Sequence, residues 1–342
     1  MKKFSALVLT LAFSLGTSAF AANMINGAGA TFPYPLYSKW FSDYQKIDPE
    51  TQINYQSIGS GGGIRQFLEK TVDFGATDSP MTDEQLSKSS IPVVHIPTVL
   101  GAVVLTYNVP GLATGLKLSA EIVSEIFLGK ITKWNDPKLV TLNPGLKLPE
   151  DAVLVVHRSD GSGTSGIFTD YLAKVSPEWK TKVGAGTAVN WPVGLGGKGN
   201  EGVTGLVKQT PGAIGYVELI YAKNNQLTYA WVKNKAGSVV EPNTKSVSAA
   251  AAGSLKSMPA DFRVSITDAE GKDSYPISGF TYLLVYKTMA PEQFKDKGAK
   301  IVKFLHWAIK EGQASAEPLF YAPLPKAMLS KVEAKINEIQ AK

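Results

Sequence analysis

The chain has 342 residues, 19% of them charged, with 35 lysines and arginines against 29 aspartates and glutamates and a formal net charge of +6. The basic residues are scattered rather than clustered in a block, which argues against nucleic acid as a partner. Cysteine is absent, so disulfide bonds and cysteine-ligated metal centres are excluded. A chain of this length usually divides into two domains.

The first 21 residues have the pattern of a secretory signal peptide. Lys2 and Lys3 form a basic start, the apolar run 6–15 is too short to span a bilayer, and Ala19 and Ala21 place small residues before a cleavage point. A retained membrane anchor is the alternative. We expect cleavage after Ala21 and, because no cysteine follows for lipid attachment, a mature protein that is free in the periplasm.

Short apolar runs alternate with helix-like stripes along the chain, a pattern typical of α/β proteins. The runs predict strands at residues 52–58, 99–107, 153–157, 213–217 and 281–286. Apolar residues at helical spacing predict helices around residues 36–44, 122–127, 167–175 and 301–308. Ser119 is the expected N-cap of the second of these helices, and residues 330–342 are expected to form a solvated amphipathic helix.

Three short segments combine glycines with hydroxyl residues at the expected start of a helix. They are GAGATFP at 27–33, GSGGG at 59–63 and DGSGTS at 160–165. Glycine lets an anion approach the bare backbone, and a helix N-terminus offers unpaired N–H donors with partial positive charge. Each segment alone is also an ordinary cap or turn. Three in one chain favour a shared anion site made mostly of neutral dipoles.

Two charged residues next to these segments extend the hypothesis. Arg158 ends a predicted strand two residues before Asp160, and its guanidinium can bind two oxygens of a tetrahedral oxyanion while Asp160 holds it in place. A surface ion pair is the alternative, which contributes little to stability. Asp78 should repel an anion, and it also fits a simple turn cap before Pro80.

Other signals are weaker. Residues 194–199 match G-x-G-x-x-G, but neither a good strand before them nor a clear helix after them is expected, so dinucleotide binding is disfavoured. The three histidines, His95, His157 and His306, lack metal-ligand spacing. Ser162 and Thr164 have no neighbouring His or Lys base in sequence, which disfavours a phosphatase. A binder of another oxyanion and an extracellular adhesion protein remain as rivals.

Taken together, these residues closely resemble the periplasmic phosphate-binding proteins of high-affinity phosphate ABC importers. The resemblance extends from residue 27 to about residue 324 and is most specific at residues 27–33, 72–78, 158–165, 191–200 and 211–218. Residue by residue, it implies phosphate ligands at Thr31 and Phe32 (backbone N–H), Ser60, Asp78, Arg158, Asp160, Ser162, Gly163 and Thr164. His157 and Gly61 depart from the family pattern, which commonly has Arg and Ser there.

The resemblance also implies an architecture and partners. It predicts a two-lobed α/β fold of the periplasmic-binding-protein type, with residues 22–97 and 276–342 in lobe 1, residues 98–275 in lobe 2, and the ligand in the cleft between them. It implies a monomer that binds inorganic phosphate and delivers it to the membrane subunits of an ABC transporter. It implies no catalytic residues, no metal and no cofactor.

Overall fold

The structure is a computed structural model that describes residues 24–341. The predicted signal peptide lies outside the described residues. Within the described range no helix is both long enough and apolar enough to cross a membrane.

Strands and helices alternate along most of the chain. The strands are β1 Met24–Gly29, β2 Gln52–Ser57, β3 Phe74–Thr77, β4 Val93–Asn108, β5 Lys117–Leu118, β6 Leu154–Arg158, β7 Leu195–Gly197, β8 Ala213–Glu218, β9 Thr228–Tyr229, β10 Trp231–Lys233, β11 Val239–Val240, β12 Ser278–Tyr286, β13 Thr288–Met289 and β14 Gln340–Ala341. The α-helices are α1 Tyr34–Ile47, α2 Ser60–Leu68, α3 Asp83–Ser87, α4 Ala120–Phe127, α5 Pro137–Leu142, α6 Gly163–Val175, α7 Pro177–Lys182, α8 Gly199–Gln209, α9 Leu219–Asn224, α10 Thr244–Ala252, α11 Pro291–Phe294, α12 Lys297–Ile309 and α13 Lys326–Asn337. Short 3₁₀ turns occupy residues 255–257, 311–315 and 317–319.

The main sheet is mixed and runs through the whole molecule in the order β2-β1-β3-β12-β4-β8-β6-β7, with β9 also paired to β4. Parallel pairs at one end join β1 to β2 and β3, and parallel pairs at the other end join β6 to β7 and β8. The antiparallel strands β4 and β12 lie between these two groups. Helices pack on the faces of each group, so the fold has two α/β lobes, as predicted.

The strands β4 and β12 connect the two lobes. β12 pairs with β3 of lobe 1, and residues 103–108 of β4 pair with β8 of lobe 2. Their common register shifts between Thr281 and Tyr282, opposite Pro97 and Val99, so that Thr98 is skipped. Pro97 has no backbone N–H to give, which is why an irregularity rather than regular pairing occurs there. The lobe boundaries after residues 97 and 275 stay predictions; the first lies at this shift, and the second lies before the start of β12.

Each lobe has an aromatic core on one face of the sheet. In lobe 1, Trp40 and Phe41 of α1 pack against Trp307 and Phe304 of α12, with ring centroids 6.4 and 5.4 Å apart. In lobe 2, Phe168 of α6 stacks on Tyr216 of β8 at 4.5 Å and Phe127 of α4 closes the cluster. The apolar faces of helices α1, α4, α6 and α12, which the sequence indicated, are the faces that these cores bury.

Apolar runs and helical spacing in the sequence predicted most of the main strands and helices, but they missed the glycine-rich ones. The five predicted strands correspond to β2, β4, β6, β8 and β12, and Ser119 caps α4 by accepting a hydrogen bond from the Ile122 N–H. Strands β1 and β3 were not predicted, since MINGAG and FGAT each have one β-branched residue and are rich in glycine and alanine, which are depleted in strands. The expectation that no helix follows residues 194–199 was wrong: α8 begins at Gly199, despite the low helix propensity of its glycines.

Gly63 provides a test of how closely helix α2 must approach the sheet. A Cβ at this position would lie 2.3 Å from Gly29 Cα, so Gly63→Ala forces the helix away from β1 and should lower the free energy of unfolding by about 2 kcal/mol. Gly205→Ala in α8 is the matched control, because its Cβ would meet nothing within 4 Å. The control should be neutral or stabilising by about 1 kcal/mol. Urea unfolding measures both, and equal effects would refute the close approach.

Candidate anion-binding site

The three glycine and hydroxyl segments all lie where a strand passes into a helix. The first joins β1 to α1, the second joins β2 to α2, and the third joins β6 to α6. Each helix therefore points its N-terminus towards the carboxyl ends of parallel strands, which is where ligands bind in α/β sheets. The glycine-rich segment 194–199 forms a fourth such junction, between β7 and α8.

The two lobes bring these segments into direct contact. The Gly61 N–H donates to the Gly161 carbonyl over 2.8 Å. A Cβ added to Gly163 would lie 2.4 Å from Ser60 Oγ and 2.5 Å from Asp78 Oδ2, so the first turn of α6 sits directly against lobe 1. Residues 59–63 and 160–165 thus line opposite walls of one cleft.

The predicted ligands converge in this cleft, and nearly all are buried. The exposed fraction does not exceed 3% for the side chains that the sequence analysis selected from both lobes, namely Thr31, Phe32, Ser60, Asp78, Arg158, Ser162 and Thr164. Gly163 is also buried, and Asp160 alone retains some exposure, with 14% of its side chain accessible. The tertiary structure therefore brings all nine predicted residues together.

Among the buried residues of this cluster, five have a backbone N–H group with no hydrogen-bond partner within residues 24–341. They are Thr31, Phe32, Ser60, Gly163 and Thr164. A buried N–H without a partner is rare in proteins because it loses its hydrogen bonds to water. Five such donors from both lobes, three of them in the first turns of helices α2 and α6, form a site that a multivalent acceptor would satisfy.

Arg158 adds a positive charge with a fixed orientation. Its Nε donates to Asp160 Oδ1 over 2.8 Å and its Nη2 donates to Asp160 Oδ2 over 2.6 Å. One Nη1 hydrogen faces Thr164 Oγ1 at 3.4 Å. Since guanidinium carries five N–H bonds, one hydrogen on each terminal nitrogen remains for a ligand. This side-by-side pair matches two oxygens of a tetrahedral anion.

Asp160 is held in place by more than the arginine. Its Oδ1 also accepts from the Gly199 N–H at 3.0 Å, which links it to the start of α8. Burial would raise the pKa of Asp160, but the hydrogen bonds and charge of Arg158 outweigh it and keep that pKa below its ordinary value. The pair is therefore a fixed ion pair at pH 7, and its net charge is close to zero.

Asp78 is a buried carboxyl group that borders the donors and forms no salt bridge within residues 24–341. Its Oδ1 accepts from Thr281 Oγ1 at 2.8 Å, and Ser60 Oγ lies 3.5 Å from its Oδ2. Burial raises the pKa of Asp78 to about 7, although Thr281, Arg158 and Ser60 each oppose the shift. Asp78 therefore exchanges a proton close to neutral pH, which the sequence analysis did not anticipate.

Three residues that the sequence analysis did not select border the same cleft. Asn200, fully buried, contacts Thr31 and Thr164, and Thr281 binds Asp78. Tyr221 of lobe 2 donates to the Thr31 carbonyl over 2.5 Å. None of them has a sequence pattern that marks it, although Asn200 follows the glycine-rich segment 194–199. Within residues 24–341 no three His, Asp or Glu side chains are grouped as metal ligands.

The protein has two lobes joined by shared strands, and hydrogen-bond donors suited to an anion face the cleft between them. This combination defines a two-lobed binding protein. The model of the PBP superfamily domain matches residues 16–311. The chain is 47% identical to the phosphate-binding protein PstS of Haemophilus influenzae over 98% of both chains, and 46% identical to that of Pasteurella multocida over 96% of this chain and 94% of the other. It therefore belongs to the PBP superfamily and, within it, to the PstS family of phosphate-binding proteins.

A solved structure shares the fold at much lower sequence identity. The crystal structure of a phosphate-binding protein from Stenotrophomonas maltophilia aligns with a TM-score of 0.70 at 22% identity, covering 92% of this chain and 94% of that one. This likeness shows that the two proteins share the same overall fold.

The titration of Asp78 predicts a pH-dependent stability. The fold favours the protonated form, so the native protein binds this proton more tightly than the unfolded chain, and the free energy of unfolding should fall as the pH rises from about 4 to about 7. Asp78→Asn removes the titration. In phosphate-free buffer this variant should be more stable than the parent at about pH 8, by up to about 4 kcal/mol, and equal to it near pH 4. Thermal unfolding at both pH values measures the difference in stability between the variant and the parent. If that difference is the same at both pH values, Asp78 is solvated in the free protein.

Proposed function

We propose that this protein binds inorganic phosphate in the interlobe cleft through Thr31, Phe32, Ser60, Asp78, Arg158, Asp160, Ser162, Gly163 and Thr164. The observation that carries the proposal is the set of five buried backbone N–H groups without a protein partner. A tetrahedral oxyanion presents acceptor oxygens in several directions, so it can satisfy donors from both walls together. Membership of the PstS family supports phosphate as that oxyanion.

The energetics are compatible with tight binding. Hydrogen bonds to a charged group contribute about 1.5–3 kcal/mol each. Five backbone donors, two guanidinium N–H groups and the hydroxyls of Thr31, Ser162 and Thr164 provide about ten such bonds. After the costs of desolvating phosphate and of lost freedom, the remainder reaches the ~8 kcal/mol of micromolar affinity. The donors are preorganised by helix N-termini, which reduces the cost further.

The site is suited to binding rather than to hydrolysis. A phosphatase needs an activated nucleophile or a metal. Among the described residues, Ser162 Oγ accepts from the Ser165 N–H, and Thr164 Oγ1 accepts from Arg158 and Asn200. Neither hydroxyl contacts a histidine or a lysine that could remove its proton. The relatives are likewise named as binding proteins.

We also propose that the protein delivers the bound phosphate to an ABC transporter. We propose that the lobes, residues 22–97 with 276–342 and residues 98–275, open and close about the register shift in β4 and β12. Phosphate in the cleft would join the two walls and favour the closed form, which the membrane subunits of the importer would recognise. The predicted signal peptide supports a periplasmic, lipid-free location, and the family resemblance supports a monomer.

Asp78 supports selectivity for phosphate over sulfate. The two anions have almost the same shape, but phosphate keeps a P–OH group near neutral pH and sulfate does not. An ionised Asp78 accepts a hydrogen bond from that P–OH and repels a sulfate oxygen. Because burial raises the pKa of Asp78 to about 7, its protonated form can donate to sulfate at lower pH, so rejection of sulfate should weaken as the pH falls.

Arg158 provides the direct test of the phosphate site. Arg158→Ala removes the guanidinium group that the cluster directs into the cleft and should weaken phosphate binding about 100-fold or more, which is about 3 kcal/mol. Arg158→Lys should also weaken it, since an ammonium group cannot present two parallel N–H bonds. Arg65→Ala, at an exposed position of α2, is the control and should bind like the parent. Calorimetry measures all four proteins, and an unchanged dissociation constant for Arg158→Ala would remove Arg158 from the site.

The selectivity role of Asp78 has a separate test. Asp78→Asn should keep phosphate affinity within about tenfold, because its amide still forms hydrogen bonds. It should narrow the gap in affinity between phosphate and sulfate at about pH 8, where the Asp78 carboxyl of the parent is ionised, and change that gap little at about pH 5. The parent should discriminate strongly at about pH 8 and less at about pH 5. Competition calorimetry with both anions measures the gap. If Asp78→Asn rejects sulfate as strongly as the parent does at about pH 8, Asp78 does not distinguish the two anions by the proton on phosphate.

A further inference from the structure

Asn200 uses its whole side-chain amide to join the two walls of the cleft. Its Nδ2 donates to Thr31 Oγ1 in lobe 1 over 2.7 Å and to Thr164 Oγ1 in lobe 2 over 3.1 Å. An amide nitrogen has two hydrogens, so both are used. The residue is fully buried at the start of α8.

The orientation of this amide is determined by its other end. Asn200 Oδ1 accepts from the backbone N–H of Glu218, the last residue of β8, over 2.9 Å. A flipped amide would place its NH₂ group against that N–H donor and its oxygen against the two threonines. The strand therefore holds the donors of Asn200 towards the cleft.

The two threonine hydroxyls consequently have both lone pairs occupied. Thr31 Oγ1 accepts from Nδ2 and, at 3.2 Å, from the backbone N–H of Asn200. Thr164 Oγ1 accepts from Nδ2 and, at 3.4 Å, from Arg158 Nη1. Among residues 24–341 neither hydroxyl donates to a protein acceptor. Each therefore keeps a hydrogen and has lost its capacity to accept.

We infer that Asn200 is a positioning residue that makes Thr31 and Thr164 donors only, so that a ligand proton is received at a carboxylate such as Asp78 and not at either hydroxyl. The inference rests on the proposed phosphate function and deepens it. A free threonine hydroxyl can either donate or accept, so it could receive the P–OH of phosphate in place of Asp78. With Asn200 in place, phosphate oxygens that face the two hydroxyls must be unprotonated. The site should then favour the dianion over the monoanion.

The test compares phosphate affinity below and above the second ionisation of phosphate, at about pH 5.5 and about pH 8.5, by calorimetry on the full mature chain. The change is Asn200→Ala, which frees one lone pair on each hydroxyl. We expect affinity for the dianion to fall about 30-fold and affinity for the monoanion to fall less than about fivefold. A residue that only fills space would weaken binding equally at both pH values.

Other ionisable groups near Asn200 are present in parent and variant alike, so the difference between the two pH profiles isolates the amide. These groups, on every element that packs around it, are Asp78, Arg158, Asp160, Glu201, Glu218 and Tyr221. Asn234→Ala is the control for loss of a buried amide. Asn234 donates to three backbone carbonyls outside the cleft, and its removal should leave the ratio of the two affinities unchanged.

Asn200→Asp is a second variant of nearly identical shape, and it keeps the test valid if the alanine variant folds poorly. Its carboxylate accepts where the amide donated, so it should claim the threonine hydrogens and weaken binding more than Asn200→Ala. The added charge contributes to that loss, so the same change is repeated in a Thr31→Val, Thr164→Val background. There the loss caused by Asn200→Asp should shrink at least tenfold, because no hydroxyls remain to be reoriented.

The outcomes separate the two proposals. If the parent does not bind phosphate, the proposed function fails. If the parent binds and Asn200→Ala weakens binding equally at both pH values, or if the valine background leaves the effect of Asn200→Asp unchanged, the positioning role of Asn200 is refuted while the phosphate site stands.

Discussion

Two adjacent antiparallel strands, β4 and β12, determine where everything else in this molecule lies. They run from one lobe into the other, and the parallel strands of each lobe are added on either side of them. Because the parallel strands at both ends direct their carboxyl ends to the cleft, the helices that follow them converge there. The register shift at Thr98 and Thr281 occurs beside Asp78, since Thr281 donates to its carboxyl. The connection between the lobes is thus also part of the proposed binding site.

A second constraint is electrostatic. A charged anion leaves water only when the protein supplies donors of comparable strength, whereas a strongly positive cavity would itself be costly to bury. Here the charge of Arg158 is balanced by Asp160, and most donors are neutral backbone N–H groups and hydroxyls. Asp78, with its pKa near neutrality, and Asn200, with its fixed amide, determine which atoms donate and which accept. In the proposed phosphate site, recognition of the proton on the ligand therefore depends on residues that carry little attraction for an anion.

Sequence reasoning succeeded where a physical signal is local. Apolar spacing indicated α1, α4, α6 and α12, and glycines with hydroxyl residues indicated the helix N-termini that now face the cleft. It failed at β1, β3 and α8. Glycine and alanine give β1 and β3 a low strand propensity, and glycine gives α8 a low helix propensity. Contacts with neighbouring elements form these three elements in spite of their propensities. Asp78 was selected only through the family resemblance, and its pKa near 7 results from burial that spacing along the chain does not encode.

By itself the sequence determined the α/β class, the positions of the main helices and strands, and a set of residue types suited to an anion. Only the tertiary structure decided that the donors from segments 27–33, 59–63 and 160–165 meet at one point, that five N–H groups are left without a protein partner, and that Asn200 reaches across both walls. The physical reason is distance along the chain. Helical and strand periodicity act over a few residues, whereas Thr31 and Asn200 are 169 residues apart and meet only because the sheet folds them together.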